Sequence, residues 1–243
     1  MFALNSLVGK SNIYISCFPK SGSSYLTALL QENFNLKPVS IIPGAGRREQ
    51  EPTQFRMFMH SLNLRRGYIA QVHTKASKSV INMFKLHKLQ PIILTRDIRD
   101  VIISLRDHLL SEGPNIPMAY VSNEFQNFSE ERQIDFLIEF VVPWFFNFYA
   151  SWYTVEKSKI LSVKWITYED YISNKTSTLD SIAKHYNLSI PKNGYEFDKL
   201  KRNTRKNKGV TGRGKASLSI AQNKKILSYT DYYKNVDFSL MGL

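Results

Sequence analysis

One short stretch near the N-terminus constrains the fold more than any other. Residues 13–18 form an apolar, β-prone run, the chain turns at 19–22, and residues 23–34 have the spacing of an amphipathic helix. A strand that runs through a tight turn into a helix is typical of parallel α/β proteins. The unpaired N–H groups and the dipole at such a helix start favour an anion. We therefore predict an α/β domain with a phosphate-sized site after its first strand.

This turn differs from the best-known phosphate-binding loop. It carries one ammonium group and three hydroxyls, on Lys20, Ser21, Ser23 and Ser24. The lysine precedes Gly22, so the G-x-x-x-x-G-K-[ST] spacing of a Walker A loop is absent. On these residues alone, an ordinary strand-to-helix turn that carries a lysine stays an open alternative.

The rest of the chain alternates strand and helix patterns. Short apolar runs predict strands at 68–73, 91–95 and 160–165, and helical spacing predicts helices at 78–88, 98–110, 130–157 (kinked or split at Pro143) and 178–186. This alternation predicts a three-layer, mostly parallel sheet flanked by helices. A length of 243 residues fits a single domain over residues 1–243.

Charge and cysteine content restrict the classes of partner and site. The formal net charge is +13, so we expect an acidic partner: a nucleotide, a nucleic acid, an acidic glycan or an anionic membrane. Residues 199–225 contain ten Lys and Arg, no acid and several glycines, which predicts a flexible basic loop or a tail that contacts nucleic acid. One cysteine, Cys17, excludes an internal disulfide and a cysteine-based zinc cluster.

Two observations concern membranes and targeting. The apolar window 136–153 is interrupted by Glu139, Pro143 and Asn147, so we interpret it as a buried helix and not a membrane span. The N-terminus lacks a basic region followed by an apolar core, so no signal peptide is predicted. We expect a cytoplasmic protein.

A second charged motif follows the predicted strand at 91–95. Arg96 stands at the strand end, where its guanidinium can offer two donors to a phosphate. Ser104 lies two turns into the next helix and can face the same side. Arg99 and Asp100 are predicted to form a structural ion pair.

The two motifs together resemble those of sulfotransferases that use 3′-phosphoadenosine 5′-phosphosulfate (PAPS). Residues 19–26 are similar to the 5′-phosphosulfate loop P-K-[ST]-G-T-T-W-[LV], with Ser for Thr twice and Tyr25 for Trp. Residues 96–104 are similar to the 3′-phosphate motif R-[DN]-P-[RK]-D-V-x-x-S, with Ile98 for Pro.

A third family motif is present in altered form near the C-terminus. Residues 208–215 resemble R-K-G-x-x-G-D-W-K, with Lys208 and Gly209 at the positions that hold the 3′-phosphate in the family. Asn207 stands where the family has arginine. The alternative sources of that charge are Arg205 and Lys206.

Two shorter segments resemble the family in the expected order. Residues 168–170 are similar to its Y-E-D string, and residues 197–203 to F-x-x-M-K-x-N. The resemblance extends from residue 13 to about 215 and implies the P-loop-NTPase-like sulfotransferase fold, with the basic segment 199–225 covering the nucleotide.

A histidine base is the remaining part that the resemblance requires. His73 ends the second predicted strand, where the family has K-T-H, and a residue at that sheet edge lies on the ligand side of an α/β fold. Gln71 replaces the family lysine and removes one charge near the sulfuryl group. His108 is the alternative base.

The resemblance implies transfer of a sulfuryl group from PAPS to an unidentified acceptor hydroxyl or amine, with adenosine 3′,5′-bisphosphate (PAP) as product. It assigns His73, Lys20 and Ser104 to catalysis. It assigns nucleotide binding to Lys20, Ser21, Gly22, Ser23, Ser24, Tyr25, Arg96, Ser104, Tyr168, Lys208 and Gly209. We expect no metal, no nucleic acid and no membrane span, and the oligomeric state stays open. The alternatives are a P-loop-like nucleotide kinase and a basic nucleic-acid-binding protein.

Overall fold

The centre of the molecule is a parallel sheet. The computed structural model describes residues 11–44, 48–61, 67–197 and 210–243. Its strands are β1 (Ile13–Cys17), β2 (Lys37–Pro38), β3 (Tyr68–Val72), β4 (Ile92–Thr95) and β5 (Lys164–Thr167). They pair in the order β2-β3-β1-β4-β5, all parallel, with Ile13 opposite Ile69 and Ile15 opposite Ile92. The strand order reverses at β1, which places a crevice outside the carboxyl ends of β1, β3 and β4.

Helices cover both faces of this sheet. They are α1 (Ser23–Phe34), α2 (Gln54–Ser61), α3 (Lys78–His87), α4 (Ile98–Glu112), α5 (Glu130–Phe140), α6 (Val142–Lys157), α7 (Tyr168–Ser173), α8 (Lys175–Tyr186), α9 (Arg213–Ser217) and α10 (Ile220–Ser228). Short 3-10 turns occur at Asn123–Asn127, Tyr229–Tyr232 and Ser239–Met241.

The side chains of β1 show why the domain has three layers. Ile13, Ile15 and Cys17 point to one face and pack with the apolar sides of α1, α7 and α8. Tyr14 and Phe18 point to the other face, where they meet α3, α4 and α6. Alternate strand residues face opposite sides, so a strand buried on both faces is apolar at most of its positions. The predicted three-layer parallel α/β fold is confirmed.

Several predicted boundaries need correction. The last strand begins at Lys164, not at residue 160, because backbone pairing with Pro91 and Ile92 defines its start. The last predicted helix starts earlier, at Lys175, where the Asn174 side chain accepts a hydrogen bond from the third helical N–H. The segment 130–157 is split into α5 and α6 at Val141, and Pro143 lies in the first turn of α6, where proline is tolerated.

The prediction of a flexible loop over residues 199–225 is wrong for the second half of that segment. Residues 213–217 and 220–228 are helical, and Ser219 and Gln222 form a reciprocal capping box at the start of α10. Residues 198–209, which include Lys208 and Gly209, lie outside the described residues. Helices α2 and α7 were also not predicted.

By length and composition, one described helical stretch could cross a membrane, Glu130–Lys157. It is broken at Val141, and more than half of its most apolar window is buried inside the domain. Phe145, Phe146 and Trp152 are fully buried in the core. The stretch packs as a core helix pair of the domain.

Candidate active site

The turn after β1 has an unusual backbone. The N–H of Phe18 donates to the carbonyl of Leu94, which ties the start of the turn to the end of β4. Lys20 has a φ of 66° and Gly22 a φ of 74°, both in the left-handed region. A Cβ on Gly22 would lie 2.6 Å from the Tyr168 ring, so only glycine fits there. Gly22 caps α1 and has no side chain that could compete for the helix N–H groups.

The three hydroxyls of this turn have different surroundings. Ser21 is fully buried, and its hydroxyl donates to the Phe18 carbonyl at 2.6 Å, so this side chain holds the turn together. Ser23 is buried and its Oγ accepts from the Gln71 amide at 2.6 Å. Ser24 is exposed. The predicted hydroxyl cluster therefore offers Ser23 and Ser24 to a ligand, whereas the N–H and the hydroxyl of Ser21 both donate to the Phe18 carbonyl.

Arg96 connects several parts of the site. Its Nη1 donates to the Lys20 carbonyl at 3.1 Å, and its Nη2 contacts Asp100 Oδ2 at 3.3 Å and the Val210 carbonyl at 3.0 Å. The guanidinium stacks on the Tyr168 ring at 4.2 Å. Arg96 Nε is buried without a hydrogen-bond partner among the described residues. A buried donor of this kind suits an anionic ligand.

Ser104, Tyr25 and Tyr168 are the other described residues that the sequence predicts to bind the nucleotide. Ser104 is buried in α4, eight residues after Arg96. Tyr25, in the first turn of α1, packs against Tyr171 with ring centroids 6.1 Å apart and lies under the Lys175 ammonium at 5.5 Å. Tyr168 is almost completely buried between Gly22 and Arg96. Its ring therefore supports the turn and Arg96.

His73 lies directly after β3, beside the end of β1. Its Nδ1 is 2.8 Å from the Cys17 carbonyl, which can only accept, so the neutral ring carries its proton on Nδ1 and a lone pair on Nε2. Its backbone N–H donates to the Arg48 carbonyl at 2.7 Å. Burial lowers the pKa of His73 to about 4; the Cys17 hydrogen bond opposes this shift and Arg48 adds to it. The imidazole is therefore neutral at pH 7.

Gln71 links the surroundings of His73 to the start of α1, a contact that sequence reasoning missed. Its side chain contacts Ser23 Oγ at 2.6 Å and Thr27 Oγ1 at 3.5 Å, on α1. Cys17 Sγ lies between Gln71 and the His73 ring, 3.8 Å and 3.4 Å away. Burial raises the pKa of the Cys17 thiol to about 11, so it stays protonated. The position two residues before His73, on the same strand face, was the available signal.

The predicted Arg99–Asp100 ion pair is wrong. Arg99 pairs with Asp97 at 3.3 Å, and Asp100 pairs with Arg96 at 3.3 Å. Adjacent residues on a helix point in different directions, whereas residues four apart share a face. The Arg96–Asp100 spacing of four residues was the signal for the correct pairing.

His108 is placed far from the other predicted residues. It lies ten residues into α4, which is about 15 Å along the helix from the edge where Arg96 stands. Its Nδ1 is 3.3 Å from Glu112 on the same helix. The strand ends thus bring together Lys20, Ser23, His73 and Arg96, and leave His108 outside. Among the described residues, no three His, Cys, Asp or Glu side chains group as a metal site would.

Comparisons with known proteins agree with this architecture. The sulfotransferase domain family matches residues 10–228. Among solved structures, the chain is similar to mouse sulfotransferase SULT7A1 complexed with PAP, with 16% identity, a TM-score of 0.65 and 99% of this chain and 93% of that chain covered. It is also similar to a sulfotransferase from Alicyclobacillus acidocaldarius, with 13% identity, a TM-score of 0.51 and 96% of both chains covered. None of the curated proteins matches it.

At these identities the solved structures show the fold, and the family match supplies the activity. That match covers most of the chain, including the turn after β1, His73 and the start of α4. The chain belongs to the sulfotransferase domain family and is an enzyme of sulfuryl transfer.

Proposed function

We propose that this protein transfers the sulfuryl group of PAPS to an acceptor hydroxyl or amine by in-line displacement, with His73 as general base. The observation that carries the proposal is the convergence of an anion-sized turn, Arg96 and a neutral His73 at one sheet edge. The PAP complex of the mouse relative supports the choice of donor.

The chain's own groups fit the donor. The N–H groups at the start of α1, with Ser23 and Ser24, would hold the 5′-phosphate, since helix N-termini favour phosphates. Arg96 and Ser104 would hold the 3′-phosphate, with Lys208 and Gly209 from the segment that precedes Val210. Tyr25 is our candidate for stacking on adenine.

His73 would act on the acceptor. With Nδ1–H held by the Cys17 carbonyl, the lone pair of Nε2 is the one available to accept the acceptor's proton. When bound, the donor supplies an activated sulfuryl group. The acceptor oxygen or nitrogen forms a bond to sulfur as the bond from sulfur to the 5′-phosphate oxygen breaks, and PAP leaves with that electron pair.

Lys20 would stabilise the negative charge that grows on the leaving oxygen. Its position in the turn, with a left-handed backbone, places it next to the helix start that would hold the same phosphate. Lys20 and Arg96 together supply counter-charge of the kind that Mg²⁺ gives to kinases, so we propose a metal-independent reaction.

Binding of PAP and of AMP, measured by calorimetry without Mg²⁺, tests the proposal. We expect PAP to bind at least tenfold more tightly, because charge-assisted contacts to the 3′-phosphate contribute about 1.5–3 kcal/mol. A kinase would instead prefer ATP with Mg²⁺. Equal affinity for PAP and AMP would contradict the proposed PAPS-dependent function, including the assignment of Arg96 to the 3′-phosphate. A library of hydroxyl and amine acceptors, assayed by PAP release from PAPS, then identifies the acceptor class.

A further inference from the structure

We propose that Asp100 is a positioning residue that joins Arg96 to the segment 210–214, here called the strap, and so couples two parts of the 3′-phosphate site. The inference rests on the proposed function. Asp100 is not a ligand candidate itself, because its carboxylate would repel a phosphate. Its role follows from the groups that its carboxylate binds, which are the Arg96 guanidinium and two backbone N–H groups of the strap.

The hydrogen bonds of Asp100 reach across more than a hundred residues of sequence. Its Oδ1 accepts from the Gly214 N–H at 2.7 Å, and its Oδ2 accepts from the Gly212 N–H at 2.8 Å. The same Oδ2 contacts Arg96 Nη2 at 3.3 Å. Asp100 is 2% exposed, so these bonds form away from water, where charge-assisted bonds are strong.

Arg96 reaches the strap as well. Its Nη2 donates to the Val210 carbonyl at 3.0 Å. Arg96 thus binds the strap through a carbonyl, and Asp100 binds it through backbone N–H groups. Val210 is directly continuous with Gly209 and Lys208, which the resemblance assigns to the 3′-phosphate. The contact to Val210 therefore lies directly after those two residues in the sequence.

The backbone of the strap is shaped for this contact. Gly212 has a φ of 82°, which favours glycine. A Cβ on Gly214 would lie 2.2 Å from the backbone of Arg99, so the strap touches the first turn of α4 directly. Only a glycine allows the Gly214 N–H to come this close to Asp100.

A carboxylate at position 100 is the side chain that satisfies all these groups. Three donors converge on its two oxygens, and each oxygen can accept more than one hydrogen bond. Asparagine has the same shape but would turn an NH₂ group toward a donor. Asp100→Asn therefore loosens the strap and Arg96 together with little change in volume.

The test compares PAP and AMP affinities, and the kinetics with PAPS, in the full-length wild type and Asp100→Asn. We expect the wild-type preference for PAP over AMP to fall about tenfold or more in the variant. KM for PAPS should rise by a similar factor, and kcat at saturating PAPS should stay within about threefold. An unchanged or increased preference would overturn the proposal, since an increase means that Asp100 competes with the phosphate for Arg96.

Gly214→Ala disrupts the same contact by changing the strap instead of Asp100. It replaces Asp100→Asn as the test if that variant does not fold. It pushes the strap off α4 and leaves Asp100 and Arg96 chemically intact, so the PAP preference should again fall. An unchanged preference in this variant would also overturn the proposal.

Asp107→Asn is the matched control. Asp107 pairs with Arg213 at 2.8 Å and so also ties α4 to α9, but it does not contact Arg96. The preference of Asp107→Asn for PAP over AMP should match that of the wild type. If it falls as much as in Asp100→Asn, attachment of α9 alone explains the effect and the proposal is wrong. A wild type with no preference for PAP would instead disprove the proposed function, which keeps the two failures distinct.

Discussion

The turn after β1 and the C-terminal segment 210–243 both bring groups to the same sheet edge, but they are built differently. The turn is held partly by contacts within itself, such as the Ser21 hydroxyl on the Phe18 carbonyl, and partly by the neighbouring strand end. The C-terminal segment is held by side chains from α4 that lie more than a hundred residues earlier. The turn and the strand ends carry the groups that would act on the substrates, while the C-terminal segment would position them.

This difference predicts separate consequences of mutation. Changes at the strand ends should alter chemistry or local backbone strain. Changes in the contacts of the C-terminal segment should alter binding and local stability and leave the base untouched. The variants below test that separation, from the largest expected effect to the smallest.

Loss of the base should have the largest effect. His73→Ala is expected to lower turnover by about 10²–10⁴-fold, because it removes the group that we propose accepts the acceptor's proton. PAPS affinity should stay near the wild-type value, since His73 contacts the end of β1 and not the anion-sized turn. Turnover and equilibrium binding measured on the same preparation check both expectations.

His108→Ala is the control for that variant. His108 pairs with Glu112 along α4, so its loss should leave turnover within a few-fold of the wild type. An inactive His108→Ala beside an active His73→Ala would reverse the assignment of the base. An aliphatic alcohol acceptor gives the sharpest result, because an acidic phenol needs less help from a base.

Gly22→Ala should destabilise the turn by about 2–4 kcal/mol. Left-handed backbone costs an L-residue about 1–2 kcal/mol, and the new methyl group would press on the buried Tyr168 ring. Gly194→Ala is the matched control, with a φ of 79° and open space around its Cβ, so it should cost only the backbone term. Urea unfolding of the two variants gives the comparison. Equal losses of unfolding free energy in the two variants would mean that the Tyr168 ring can move aside at no energetic cost.

Lowering the pH should decrease the unfolding free energy, because the folded state disfavours protonation of His73. Its pKa is about 4 in the folded protein and near 6.5 when unfolded, so the unfolded state binds the proton first as the pH falls. Between pH 7 and pH 4.5 this costs about 2–3 kcal/mol of unfolding free energy. His73→Gln should lose less stability than the wild type over this range. Identical pH slopes for the two proteins would contradict the buried, neutral imidazole.

Much of the strand-end region was predictable because its signals are local. The bounds of β1 and α1 follow from the apolar run, the Pro19–Gly22 turn and the helical spacing after it. His73, the proposed base, could be picked out because it follows a strand at the ligand edge. Its lowered pKa could not be predicted, since burial of His73 beside Arg48 is a tertiary property.

The C-terminal segment was harder to predict because its order depends on distant contacts. Ser219 and Gln222 have the spacing of a capping box, a local signal for α10 that high basic charge obscured. The contacts of Gly212 and Gly214 with Asp100 and Arg99 carry no local signal. They appear only when α4 and the strap are placed side by side.

Arg99→Met tests how strongly the C-terminus is anchored. Arg99 pairs with Asp97 and donates to Asn223 Oδ1 at 2.8 Å and to the Gly242 carbonyl at 2.7 Å. Loss of these partly buried charge-assisted bonds should cost about 1.5–3 kcal/mol. Hydrogen exchange should increase in residues 213–243 more than in β1 or α1. A uniform increase would show that the two regions unfold as one unit.

The smallest effect is expected at the ion pair that joins α4 to α9 near the surface. Asp107 and Arg213 approach to 2.8 Å, but about a quarter of each side chain is exposed, so solvent screens the pair. Asp107→Asn should therefore change the unfolding free energy by about 0–1 kcal/mol, and 0.5 M salt should reduce even that difference. The buried contacts of Asp100 should be insensitive to the same salt. A loss in Asp107→Asn as large as that in Arg99→Met would mean that the exposed ion pair anchors the C-terminal segment to α4 as strongly as the contacts of Arg99 do.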